Sequence, residues 1–267
     1  MKKLSLLSAL LISVFINNTI QAAVAIQTRD SQHQVSTIYI DGNKARIEMP
    51  QNEGYVVMDL ASKTMNVVIH RHRTVMDMSE FLLDNGRNSA PTKYVDTYTK
   101  TMGLGPTIAG YETEEYALYA NDNYCGSLYV SVEAMRDMGV KKFAYAFANM
   151  EKNMDAKLAG MTGMGIDAFT EPCDEADRKM SLRLREIGFP LKSIDQNKRL
   201  ESVVTRINKK ARLPVNAFKI PADYKLTNTS EMINDAMKQM QKMQPQMQEM
   251  MKNMTPEQRQ MMQQYTR

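Results

Sequence analysis

The sequence predicts an α+β fold: an antiparallel β-sheet covered by helices, followed by a methionine-rich helical tail. Three observations predict it. Residues 35–78 alternate polar and apolar side chains with a period near two, as in Lys44, Arg46 and Glu48 against Ala45, Ile47 and Met49. That is the pattern of strands with two unlike faces. Residues 141–158 change to spacings of three and four (Phe143, Phe147, Met150, Met154, Leu158), which is an amphipathic helix able to cover the sheet. Finally, ten of the chain's 24 methionines fall within its last 40 residues.

Taken in order, residues 1–22 read as a secretory signal peptide. Met1-Lys2-Lys3 is a positive start, Leu4 to Ile16 a 13-residue apolar core, and Ile20-Gln21-Ala22 a small-residue exit, with cleavage near Ala22 or Ala23. The apolar core is shorter than the roughly 20 residues of a spanning helix, and no later stretch approaches that length. The expected location is the periplasm, and the expected division is a domain at 23–226 and a partly helical or disordered tail at 227–267. Without Lys2 and Lys3 the chain has 32 basic and 30 acidic residues. With no Trp and that near balance, nucleic acid is not an expected partner.

The strands of residues 35–78 are separated by Asp41-Gly42-Asn43, Asn52-Glu53-Gly54 and Ala61-Ser62-Lys63, compact polar breaks suited to hairpins. A sheet so connected has one face to bury. Residues 93–100 and 107–119 read as two more strands around a Gly103-Leu-Gly105-Pro106 turn, and 124–130 as a third. Helices follow at 133–138 and 141–158. Gly160, Gly163 and Gly165 interrupt the run, and a further helix is expected from Thr170 to near Gly188, with Pro172 in its first turn. Strands are expected again at 191–195 and 200–208, and Phe218-Lys-Ile-Pro221 closes the domain as a strand end. The chain has two cysteines, Cys125 and Cys173, which an exported protein is expected to join as a disulfide.

Several segments then carry a resemblance. Tyr39-Ile-Asp-Gly-Asn-Lys-Ala-Arg46, Ile108-Ala-Gly-Tyr-Glu-Thr-Glu-Glu-Tyr116, Tyr124-Cys-Gly-Ser-Leu-Tyr-Val130, Gly188-Phe-Pro-Leu191 and Phe218-Lys-Ile-Pro-Ala-Asp-Tyr224 resemble the exported bacterial family named domain of unknown function 4412. That family in turn resembles the periplasmic outer-membrane lipoprotein carriers. The resemblance implies a curved, unclosed half-barrel sheet with helices across its concave face, a shape that in the carriers holds acyl chains. It supplies no ligand-contacting residue, because no ligand motif matches position by position.

In the tail, Ile233, Met240, Met247, Met254 and Met261 repeat every seven residues, as do Ala236, Met243 and Met250. This is a coiled-coil-like stripe that fails at Glu257 and Gln264 and is interrupted by Pro245. Thr255-Pro256-Glu257-Gln258 reads as a new helix start, and Thr255 to Arg259 resembles a short motif of periplasmic stress chaperones. Three uses of the stripe stand side by side. It packs on its own domain or self-associates, it offers an adaptable thioether face to exposed apolar surface, or it holds copper(I) or silver(I). The metal reading rests on Met240, Met243, Met247, Met250, Met251 and Met254.

Other chemistry is sparse. His70 and His72 would share a strand face and could hold a metal, but the interleaved Arg71 and Arg73 favour a solvated strand end. The sequence has no Gly-x-Ser-x-Gly, no His-Glu-x-x-His and no phosphate loop. The expectation is therefore a non-catalytic exported protein that binds a lipid, an acyl chain or an unfolded polypeptide. The alternatives are copper handling by the tail and a self-associating envelope protein.

Overall fold

The computed structural model of the chain describes residues 23–82, 95–159 and 172–229, with the helical residues Lys238 and Lys242. The expected signal peptide, the glycine-rich break at 160–165 and all the tail methionines lie outside the described residues. Twelve strands form one sheet. They are β1 (Ala23–Asp30), β2 (Val35–Asp41), β3 (Lys44–Glu48), β4 (Gly54–Asp59), β5 (Thr64–Ile69), β6 (Thr74–Asp77), β7 (Thr97–Leu104), β8 (Glu114–Ala120), β9 (Asn123–Ser131), β10 (Phe189–Ile194), β11 (Leu200–Ala211) and β12 (Lys225–Asn228). Among the described residues three helices, α1 (Val132–Met138), α2 (Lys141–Ala159) and α3 (Pro172–Ile187), lie between β9 and β10.

The strand order is β12-β6-β5-β4-β3-β2-β1-β11-β10-β9-β8-β7, an open sheet with β12 and β7 at its ends. It consists of two antiparallel meanders, β1 to β6 and β7 to β11, joined where β1 pairs with β11. The sheet is mixed rather than wholly antiparallel, because β12 pairs with β6 in parallel. That pairing follows from the route of residues 212–224, which cross the face opposite the helices and deliver the chain beside β6. Phe218 and Tyr224 on this segment pack on Tyr55, Val57, Val68 and Val75.

Local chemistry explains most boundaries. Aspartates seed the turns: Asp30 accepts from the amides of Gln32 and Gln34, Asp59 from Ala61, and Asp195 from Asn197 and Arg199. Ser131 caps α1 by accepting from the Ala134 amide, and Gly139 ends it in the left-handed conformation. Pro172 opens α3, with Asp174 and Glu175 in its first turn, where carboxylates suit the positive end of the helix dipole.

Four expectations change. A strand precedes those read from sequence, β1, which lies near the centre of the sheet order. The strand expected at 93–100 runs from Thr97 to Leu104, so Gly103 and Leu104 are paired rather than turning. Residues 218–221 form no strand; Phe218 is an irregular anchor, and β12 follows it. The sheet also buries both faces over β4 to β6. Met58 and Met65 belong to the core shared with α1 and α2, whereas Tyr55, Val57, Val68 and Val75 form a second core under residues 212–224. Among the described residues no helix is long and apolar enough to cross a membrane.

Candidate functional site

The alternation of β1 to β3 turns Ile26, Ile38, Ile40, Ala45 and Ile47 toward the helices. The 3.6-residue period of α2 brings Phe143, Ala144, Phe147 and Ala148 to meet them, with Val140 just before the helix. Met135 of α1, Ser181 and Leu184 of α3, and Phe189 and Pro190 of β10 complete the wall of a cavity of about 250 Å³. Among the described residues Ser181 is the one polar side chain in that lining, and its hydroxyl donates to the Asp177 carbonyl of its own helix at 3.1 Å. No titratable group among the described residues lines the cavity. A polar ligand gains nothing there; an apolar one loses its water contact and gains dispersion contacts on every side.

The helices are fastened around this space at several points. Cys125 of β9 and Cys173 of α3 have their sulfurs at bonding distance, 2.03 Å. Leu118, Ala176 and Met180 pack beneath that link. On α1, Asp137 accepts from Lys209 of β11 at 3.0 Å, and this hydrogen bond holds its carboxyl below the usual range. Lys142 of α2 donates to Asn43 in the turn between β2 and β3. Asn153 of α2 donates to the Phe81 carbonyl, within the short turn at Ser79–Leu82.

A second hollow of about 210 Å³ lies beside the disulfide and is acidic, lined by Asp174, Asp177, Asp195 and Glu201. Asp195 is held low by the Arg199 and Asn197 amides and the Arg199 guanidinium. Asp177 goes the other way. Burial, then repulsion from Glu201 and Asp174, pushes its carboxyl up to about 6. Among the described residues no group of three His, Cys, Asp or Glu side chains is arranged to hold a metal ion. The histidines expected to share a strand face do not: His70 leaves β5 into a turn, and its Nδ1 meets the Tyr224 hydroxyl at 2.8 Å, while His72 is an exposed turn residue.

The cavity residues escaped a residue-level reading of the sequence. Ile38, Ile40, Ala45, Ile47, Phe143 and Phe147 all carry the right periodicity, but a slip of one residue in register would exchange the two faces of each strand.

No family model matches the chain, so membership of domain of unknown function 4412 is not shown, and no curated protein matches it. Among solved structures it is similar to an uncharacterized conserved protein from Thermus thermophilus, with 8% identity, 78% of this chain and 91% of that chain covered, and a TM-score of 0.40. It is also similar to a chain of the Pseudomonas aeruginosa MucA/MucB complex, with 12% identity, coverage of 78% and 59%, and a TM-score of 0.34. For a structure of MucB, the values are 12%, 77% and 60%, and 0.26. The chain therefore spans about 60% of these last two chains. Likeness at this level assigns neither ligand nor site.

Proposed function

We propose that this chain is an exported, non-catalytic binding protein that takes an acyl chain or similarly slender apolar group into the cavity between the sheet and its helices. The observation that carries the proposal is the cavity itself: about 250 Å³ with an apolar wall and its one hydroxyl already bonded. The size discriminates. A cavity of about 150 Å³ accepts benzene, and drug-sized ligands occupy roughly 300–1,000 Å³. An apolar group that displaces water from such a wall gains about 25 cal/mol per Å² of apolar surface buried. A fold that keeps such a space gains from filling it. The unclosed sheet with helices on one face agrees with the half-barrel reading of the sequence, and the expected signal peptide would supply the route to the periplasm.

The test is native mass spectrometry of protein purified after export, beside the variant Ala144→Phe, whose ring projects into the cavity. A lipid-sized adduct on the natural chain, reduced at least tenfold in the variant, is the expected result. An adduct of equal abundance on both would move the ligand elsewhere. Absence of any lipid, together with copper(I) bound to the natural chain, would transfer the function to the tail methionines.

A further inference from the structure

The face of the sheet turned away from the helices carries an uneven charge. Arg29, Val203, Lys192, Tyr129 and Glu115 lie directly opposite one another across β1, β11, β10, β9 and β8. Opposed residues of an antiparallel ladder share a face, and the alternating neighbours Ile26 and Leu191 are buried in the helix-covered core, at whose margin the partly buried Val203 and Tyr129 also pack. The row therefore faces outward on the other side. Arg206 sits opposite Gln27 on the same face. Lys100 and Tyr98 extend it to the β7 edge, where Tyr98 stacks on Tyr119 at 4.9 Å and Tyr119 meets Tyr124 edge-on.

Arg29, Lys100 and Arg206 are exposed, and the Lys192 ammonium stands 4.7 Å above the Tyr129 ring. Among the described residues none of these four cations forms a salt bridge. Glu115, opposite Tyr129, is the one carboxylate in the row. Four cations interleaved with tyrosines thus spread over five inter-strand steps, about 24 Å at roughly 4.8 Å each.

We propose that this face docks on a membrane surface rich in anionic phospholipid. Charge complementarity selects a negative partner, and because the row runs across six strands rather than along the β7 edge, it fits a broad surface better than an added strand of polypeptide. Tyrosine rings suit the depth of lipid headgroups, where the ring is in apolar contact and the hydroxyl stays wet. Each basic residue brought to an anionic leaflet strengthens binding about fivefold. The docking face lies across the sheet from the apolar cavity, so it stands or falls independently of the cavity's ligand.

Full-length protein purified after export is sedimented with vesicles of phosphatidylcholine alone or mixed with phosphatidylglycerol, at low and high salt. Binding to the phosphatidylglycerol vesicles only, weakening with salt, is expected. The triple variant Arg29→Gln, Lys192→Gln, Arg206→Gln should bind about 100-fold more weakly. The control Lys141→Gln, Arg183→Gln, Lys198→Gln removes the same charge from the helices and a turn, and should change binding by less than about threefold. Should the triple variant lose its far-ultraviolet circular dichroism, Arg29→Gln and Arg206→Gln are measured singly, with about fivefold expected for each. Absence of vesicle binding, equal loss in the two triples, no change in the single variants, or binding to polyglutamate without binding to vesicles overturns the proposal.

Discussion

Two residues show how position gives a side chain its meaning. Asp177 is exposed as a residue, yet its carboxyl end enters the acidic hollow, where burial and then Glu201 and Asp174 push it up to about 6. The folded state thus holds a proton that the unfolded state releases near pH 4, so stability falls as pH rises from about 4 to 6. The full shift corresponds to about 3 kcal/mol, which solvent screening of this partly exposed group reduces to on the order of 1 kcal/mol. Asp177→Asn is therefore expected to stabilise by about that much at pH 7.5 and not at all below pH 4, as read from urea midpoints at the two pH values. Gly54 looks in the sequence like a turn residue after Asn52-Glu53. In the fold it begins β4 and is buried, and an added Cβ would lie 1.9 Å from the Val68 carbonyl oxygen. Strand backbones cannot yield locally without losing the β4–β5 ladder. Gly54→Ala should cost roughly 3 kcal/mol or more, and an unchanged melting temperature would contradict this placement.

At the scale of elements, the cysteine link fastens α3 to β9. Closing a separation of 48 residues stabilises by about 4 kcal/mol on the chain-entropy model. Replacing both cysteines by alanine should lower the unfolding free energy by about that amount, as measured by denaturant titration. A loss below about 1 kcal/mol would show that α3 is held chiefly by Ala176, Met180 and Leu184. The elements differ in how far they can be read from sequence. Periodicity places α2, α3 and β2 to β5 within a few residues. It misses β1 and β12: β1 directly follows the expected cleavage site, and the four residues of β12 are too few to show a period.

For the whole molecule, a ligand that fills the cavity must stabilise the folded state. At about 100 times its dissociation constant the gain is about 2.7 kcal/mol. A medium-chain fatty acid should accordingly raise the melting temperature of the natural chain by several degrees, and of Ala144→Phe by much less. Equal shifts in both would place the ligand outside the cavity. The open sheet order, with β7 and β12 at its ends, sets the cavity on one face and the basic tyrosine-rich surface on the other, so the two proposals can be tested on one preparation.

What the amino-acid order encodes unaided is local: the period-two runs, the polar breaks between them, the helical stripes and the partnership of two cysteines. Each depends on residues a few positions apart, or on there being a single pairing to make. Packing in three dimensions settled which strand face meets the helices, that a second core lies under residues 212–224, and that β12 joins β6 in parallel. It also brought Arg29, Lys192 and Arg206 to one face. These depend on register and on contacts between distant parts of the chain. Arg46 and Ala217 are 171 positions apart and meet through a hydrogen bond of 2.8 Å. No pattern within either segment encodes such a meeting; it exists only once both segments are packed on the same sheet.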